Sequence, residues 1–383
     1  MEFRQSTVEN LEVIQMSFAD IYRGKRVLVT GHTGFKGAWI AEWLLALGAE
    51  VYGFSLPPPT KPSLFEQLRL ESRLHHVEGD VRDIAAIRAT LEAVRPEFIF
   101  HLAAQPLVRL SYQQPAETYA TNVMGTVNVL EAVRLSGKPC TVVAITTDKC
   151  YENKEWVHSY REEDPMGGYD PYSSSKGAAE LAIASYRRSY FSTPDSAIKL
   201  ASARAGNVIG GGDWALDRIV PDCIRALSRG EAIPVRNKIA TRPWQHVLEP
   251  LSGYLWLGAC LSDVKLTLFS TQLASAFNFG PTLASNRTVS ELVQEILKHW
   301  PGKWDDKSDP KAVHEAKLLN LATDKAHHFL GWSPAWTFAE TIRETVAWYH
   351  QAADAQTDMH ALTSGQIQAY TTSAKAAGVA WAG

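Results

Sequence analysis

Covalent staples are scarce in this chain. Its 383 residues include four cysteines, Cys140, Cys150, Cys223 and Cys260, scattered and with no CxxC pair. That argues against a disulfide frame and fits reduced thiols in a cytoplasm. An excess of one charge is lacking too, with 38 Lys and Arg against 41 Asp and Glu and a net charge of −3. So balanced a chain offers no basic face to nucleic acid, and any polyanion site must be local. No apolar run approaches the roughly 20 residues of a membrane span; residues 38–47, among the most apolar, carry Glu42. The first residues, with Glu2, Glu9 and Glu12, lack the apolar core of a signal peptide. His75-His76 and His327-His328 have no acid or cysteine partners at ligand spacing, so no metal site is expected. No internal repeat is visible. These absences leave a soluble cytoplasmic protein long enough to bury a large core.

The chain opens with a lead-in of weak periodicity, residues 1–24. Residues 25–206 then alternate strand-like and helix-like segments. Strands are expected at 26–30, 50–55, 98–102 and 141–147, and helices at 38–47, 83–94 and 115–135. Pro57-Pro58-Pro59 marks a loop, since proline cannot join a sheet interior. A helix from 172 to about 190 and a strand at 198–205 follow. This alternation predicts an α/β fold, a Rossmann-type doubly wound parallel sheet with helices on both faces. After Gly210-Gly211-Gly212 the pattern shortens. Residues 207–350 read as a smaller C-terminal lobe for a substrate, with some elements returning to the sheet. Residues 351–383, rich in Ala, Thr and Ser, read as a loosely attached tail.

Gly31, Gly34 and Gly37 form a GxxGxxG turn between the first strand and the first helix. Glycines there let the backbone approach a pyrophosphate seated on the helix N-terminus. Gly31, Thr33, Gly34, Phe35, Lys36 and Gly37 are therefore read as a dinucleotide cradle, with His32 as a residue of the turn. The acid that grips the adenosine ribose about 20 residues on is absent. Ser55 stands at the end of the second strand instead, able to bond a ribose hydroxyl without repelling a phosphate. NAD is the cofactor reading, with NADP left open. Asp80 and Val81 suit the adenine edge, and Leu102, Ala103, Ala104 and Gln105 the passage toward the nicotinamide ribose.

Tyr172 and Lys176 form a YxxxK pair, i and i+4 on one helix face. Thr147-Asp148-Lys149 precedes it at a strand end, where ligands of parallel sheets bind. A plain alcohol dehydrogenase has no need of this second acid/base couple, whereas an enzyme that also expels water does. GxxGxxG, Gly79-Asp80, His101-Leu102-Ala103-Ala104, Asn122, the Thr147 strand end, YxxxK and Arg204-Ala205-Gly206-Asn207 occur here in one order. That ordered set resembles the extended short-chain dehydrogenase/reductases over about residues 26–348. Within them, segments 104–109, 147–151, 166–172, 207–214 and 242–246 look like the CDP-glucose type of nucleotide-sugar 4,6-dehydratase. The resemblance implies conversion of CDP-D-glucose to CDP-4-keto-6-deoxy-D-glucose and water, with NAD recycled in place. It further implies Asn122 as a cofactor contact, a homodimer or homotetramer, and a role in deoxysugar supply for surface polysaccharide.

The implied reaction assigns roles. A free tyrosine has a pKa of about 10, too high for a base at neutral pH. The Lys176 ammonium and a positive nicotinamide ring are expected to lower it. Tyr172 would take the C4 hydroxyl proton as hydride leaves C4, with Thr147 on the C4 oxygen and Lys176 on the nicotinamide ribose. A C4 ketone acidifies the C5 proton and loosens the C6 hydroxyl. Asp148 is read as the acid and Lys149 as the C5 base. Related dehydratases carry glutamate where Lys149 stands, which leaves the base open. Arg109, Arg218, Arg236 and Arg242, with Asn207, are read as holding the sugar nucleotide. Trp214 lies beside the glycine run as a ligand neighbour, and Trp39 and Trp244 belong to the core. Two other readings stand: a nucleotide-sugar 4-epimerase, with no use for Asp148-Lys149, and a non-catalytic NAD-binding scaffold.

Overall fold

The computed structural model describes residue 14 and residues 17–193, 196–269, 272–308 and 318–383. Much of the 1–24 lead-in thus lies outside the described residues. Strands β1 (Arg26–Thr30), β2 (Glu50–Ser55), β3 (His75–Glu78), β4 (Phe98–His101), β5 (Cys140–Ile145) and β6 (Ile198–Arg204) pair in parallel, in the order β3-β2-β1-β4-β5-β6. A seventh strand, β7 (Ala276–Asn278), returns from the lobe to pair in parallel with β6. The order reverses at β1, the switch point outside which such sheets bind ligands.

Burial alternates residue by residue, as a pleat demands. Leu28, Ile99, Val142 and Leu200 join one core with Ile87 and Leu91 of α2 (Ile84–Val94) and Val129 and Val133 of α5 (Gly125–Ser136). Val27, Val29, Phe98, Phe100, Val143 and Ala201 join the other, with Trp39 and Trp43 of α1 (Phe35–Ala46) and Leu251 and Leu255 of α8 (Leu248–Ser262). Every residue of α8 from Leu248 to Leu261 is buried, as befits a helix apolar on all sides. Among the described residues no helix is long and apolar enough to cross a membrane.

The expected helix at 115–135 is interrupted. It forms as α4 (Pro115–Tyr119), a π turn at Ala120–Met124 and α5, behind a short α3 (Val108–Gln113). Such π turns re-aim a side chain, and here the side chain is Asn122. The helix expected from 172 forms as α6 (Pro171–Tyr186) and ends in a π turn, and α7 spans Ile219–Ser228.

The C-terminal tail does not fray. Residues Met359–Ala376 form α9, and a last turn follows at Ala380–Ala382. Tyr370 and Trp381 are fully buried. Trp381 stacks on Phe18 at 4.8 Å and on Tyr370 at 5.7 Å, and Trp43 meets both edge-on. Glu249 of α8 accepts N–H bonds from Ala335 and Trp336 and a 2.6 Å bond from the Tyr370 hydroxyl. Burial pushes its carboxyl up to about 7 despite those donors. Lead-in and tail thus close together over α1. Trp381→Ala is expected to destabilise the protein by roughly 3–5 kcal/mol, the cost of truncating a buried aromatic, measured by urea unfolding.

Candidate active site

Gly31 has φ of 76°, and a Cβ there would stand 2.7 Å from the Ala103 nitrogen. Only glycine lets the first turn lie against the end of β4. Thr33 Oγ1 lies 2.8 Å from Ser55 Oγ and donates to the Leu56 carbonyl at 2.9 Å, so the end of β2 is tied to the turn. Gly34 caps α1, followed by Phe35, Lys36 and Gly37. His32 is buried, with Nε2 2.7 Å from His76 Nδ1, and burial pulls it down to about 3. Asp80 holds Arg82 at 2.6 Å; the hydrogen bonds from Arg82 keep the carboxyl below its ordinary value. Val81 is buried.

Asn122 staples the passage after β4 to α6. Its Oδ1 accepts the Gln105 N–H at 2.8 Å, and its Nδ2 donates to the Gln105 carbonyl and to Ser175 Oγ. The side chain of this expected cofactor contact is engaged with the protein itself. The Gln105 side chain turns back on Leu107 and Thr118. Leu102, Ala103 and Ala104 are partly buried.

The end of β5 and the start of α6 meet beside this passage. Asp170 caps α6 by accepting the Ser173 N–H, and Pro171 opens the first turn, where its missing N–H costs nothing. Ser111 of α3 accepts the Tyr172 N–H at 3.1 Å. The Thr147 side chain acts on the Tyr172 phenol, lowering it against burial. Thr147 Oγ1 donates to Asp148 Oδ1 at 2.8 Å, and Asn207 Nδ2 donates to Asp148 Oδ2 at 3.1 Å. Asp148 is 2 % exposed and backs onto Gly206, where a Cβ would overlap its Cγ at 2.0 Å. Lys149, half-buried, follows with its N–H on Thr147 Oγ1.

Lys176, one turn after Tyr172, is 6 % exposed. Burial draws its ammonium down to about 8, against the opposing charge of Glu180. The same burial pushes the Tyr172 phenol up to about 12, more than Thr147 takes off. The expectation that Lys176 lowers Tyr172 toward neutrality is therefore not met by the protein alone. Desolvation of the pocket outweighs it.

Three of the four expected arginines meet two aspartates, Asp213 and Asp217, just after Gly212. Arg109 and Arg236 both reach Asp217, at 3.4 and 2.5 Å, and Arg218 holds Asp213 at 2.7 Å. Arg218 also lies within electrostatic reach of Tyr172. Arg242 lies on the short strand Thr241–Pro243, opposite Arg287, and donates to the Thr241 carbonyl. Trp214 donates to Gln67 and packs edge-on against Tyr349. Trp39 and Trp244 are buried in the core.

Sequence reasoning missed the support beneath. Glu180, four residues after Lys176, pairs with Arg204 at 2.9 Å, both nearly inaccessible to solvent. Thr146, next to Thr147, also bonds Glu180, and Ser202 does so at 2.9 Å. The i, i+4 spacing of Lys176 and Glu180 was a readable signal. Asp213 and Asp217 carried none beyond their nearness to Gly212.

A family model described as GDP-mannose 4,6 dehydratase matches residues 28–345. The chain belongs to the GDP-mannose 4,6 dehydratase family. That membership places it among the hydro-lyases. It is 47% identical over 358 residues to the CDP-glucose 4,6-dehydratase of Salmonella typhimurium, covering 92% of this chain and 97% of that protein. The dTDP-glucose 4,6-dehydratase of Xanthomonas campestris is 26% identical over 346 residues, 84% of this chain and 92% of that protein. The fold superposes with TM-score 0.72 on the dTDP-glucose 4,6-dehydratase of Streptomyces venezuelae solved with NAD and TYD, at 25% identity over 85% of this chain and 97% of that one. It also superposes with TM-score 0.71 on the UDP-glucose 4-epimerase of Thermus thermophilus solved with NAD, at 25% identity over 85% of this chain and 99% of that one.

The buried pair under this dehydratase-family site gives a stability test. Glu180→Ala strands the Arg204 charge and is expected to destabilise the protein by about 3–5 kcal/mol, measured by denaturant unfolding. Glu180→Gln, which keeps two of the hydrogen-bonding positions, is expected to lose less.

Proposed function

We propose that this protein dehydrates CDP-D-glucose to CDP-4-keto-6-deoxy-D-glucose, with NAD as an internally recycled cofactor. One observation carries the reading: Thr147, bonded to Asp148 at the carboxyl end of β5, acts on the buried Tyr172 phenol, one turn from Lys176 on α6. The kinship with a CDP-glucose 4,6-dehydratase supports cytidine as the base of that nucleotide. The chain fits a nicotinamide dinucleotide: the glycine turn leaves the head of α1 open, and the Gly31 contact with Ala103 keeps the end of β4 within reach of it. A bound dinucleotide of this kind supplies a hydride acceptor for C4 and the donor that returns hydride to C6.

The chain's own residues do the proton work. Tyr172 takes the C4 hydroxyl proton; burial raises its phenol to about 12, and Thr147 and the Arg218 charge act against that burial. Thr147 fixes the C4 oxygen. With a ketone at C4, Lys149 takes the C5 proton and Asp148 delivers one to the departing C6 oxygen. Both Asp148 oxygens accept a bond, from Thr147 and from Asn207, and each keeps a lone pair for that proton. Arg109, Arg218 and Arg236 hold the sugar nucleotide.

The four thiols are free and buried, which suits the cytoplasm assigned here. Tyr112, Tyr119, Met124 and Leu181 stay between 38% and 60% exposed on the adjoining helices α3 to α6. We assign that face to a homodimer contact, and the product to deoxysugar supply for surface polysaccharide.

Purified protein with CDP-glucose and NAD is expected to give a product lighter by one water, read by mass spectrometry. A product of unchanged mass would mean epimerisation instead. Tyr172→Phe is expected to abolish cofactor reduction in a single turnover, dropping kcat by at least about 100-fold. Lys149→Ala is expected to accumulate reduced cofactor transiently while water loss slows. An effect of Lys149→Ala confined to KM would remove Lys149 from the base role.

A further inference from the structure

The peptide that seats Asp148 is itself held by a buried amide. Residues Gln245–His246 form a short strand paired in parallel with Val208–Ile209. Gln245 is 1 % exposed, and its backbone N–H donates to the Asn207 carbonyl at 3.3 Å. Its side chain reaches one residue further back. Nε2 donates to the Gly206 carbonyl at 2.9 Å and to the Phe279 carbonyl at 3.2 Å. Gly206 comes after β6 and Phe279 after β7, so one amide clamps two chains leaving neighbouring strands. Both residues of the clamped 206–207 peptide meet Asp148. Gly206 leaves the space its carboxylate fills, and Asn207 donates to its Oδ2 at 3.1 Å.

Two features of this clamp cost stability. Asn207 has φ of 52°, a left-handed backbone that a residue with a Cβ adopts at a penalty. Gln245 Oε1 is buried with no hydrogen-bond partner among the described residues, and a dry amide oxygen is unfavourable. Packing alone would be served by an apolar side chain with no oxygen to strand. What the amide adds is two N–H groups, both spent on carbonyls. Of the two bonds to Asp148, the one from Thr147 comes from the adjacent residue. The one from Asn207 crosses 59 positions and depends on where the 206–207 peptide lies.

We propose that Gln245 is a positioning residue for Asp148, acting through the Gly206–Asn207 peptide. The inference rests on the function proposed above and deepens it. Gln245 serves the proton transfer to the C6 oxygen and not the hydride step at C4.

Gln245→Met keeps the length of the side chain and removes the amide, and Gln245→Leu is the second variant. With NAD and CDP-glucose, either is expected to slow water loss about 10- to 100-fold, the cost of misplacing a reacting group by about an ångström. In a single turnover, cofactor reduction should keep its wild-type rate and reduced cofactor should accumulate, because C4 oxidation precedes the use of Asp148. Asp148→Asn supplies the readout that a merely structural role would not move. The double variant Gln245→Met, Asp148→Asn should lose no more than Asp148→Asn alone, since Gln245 then has nothing left to act on. A crystal structure of Gln245→Met should show Asn207 Nδ2 out of hydrogen-bond reach of Asp148. Undiminished water loss in the folded variants overturns the proposal, as does an equal slowing of cofactor reduction or a double variant in which the two losses multiply. So does a variant structure with the bond between Asn207 and Asp148 intact. That structure needs no turnover, so a wild type that fails to dehydrate CDP-glucose would defeat the assigned reaction and still leave the position of Asp148 readable.

Discussion

The ion pair between Glu180 and Arg204 holds the reaction centre in shape. Glu180 stands one turn beyond Lys176 on α6, and Arg204 ends β6. The carboxylate also takes hydroxyl bonds from Thr146 and Ser202, and the guanidinium reaches the Tyr151 hydroxyl at 2.7 Å and the Glu162 carbonyl at 2.9 Å. Burial alone would raise Glu180, but Arg204 and those hydroxyls outweigh it and keep the carboxyl below its ordinary value. A buried pair offsets its desolvation only when nearly all its remaining protons and lone pairs are bonded. Here Arg204 Nε is the one atom of the pair left without a partner. What the pair provides is register. Thr146 precedes Thr147, and Glu180 follows Tyr172 and Lys176 on one helix face, so a single carboxylate sets the distance between the two halves of the site.

From that anchor the constraints run outward along the chain. Two residues after Arg204, Gly206 leaves the space that the Asp148 carboxylate fills, and Asn207 then reaches back to bond it. A side chain at 206 would expel Asp148 from the Thr147 hydroxyl. On the opposite side, Asn122 ties the passage after β4 to Ser175 of α6, so the cofactor side and the catalytic side share one helix. The sheet brings the strand ends together. Glycines and buried amides then decide how closely they approach.

Local signals were legible in the sequence and tertiary ones were not. The strand–glycine–helix turn, the end of β5 and the YxxxK face depend on residues within a few positions of one another, and they form as expected. The tail failed for a physical reason. Ile367, Tyr370, Thr371 and Ala374 are spaced for one helix face, but Ala, Thr and Ser around them hid the stripe, and its partners Phe18 and Trp43 lie more than 300 positions away. The pairing of Arg109 with Asp217 joins α3 to the lobe and has no local trace. The Tyr172 expectation erred because a neighbouring ammonium is readable from spacing, whereas the depth of the pocket is a property of the whole fold.

That depth has a consequence for how the centre works. Burial pushes three of its groups toward their neutral forms: Tyr172 up to about 12, Lys36 and Lys176 down to about 8. An anionic ligand reverses this for the lysines, since each favours its ammonium beside a negative charge. Those ammoniums in turn favour the Tyr172 phenolate. On the reaction proposed above, ligand binding and activation of the base would then be linked.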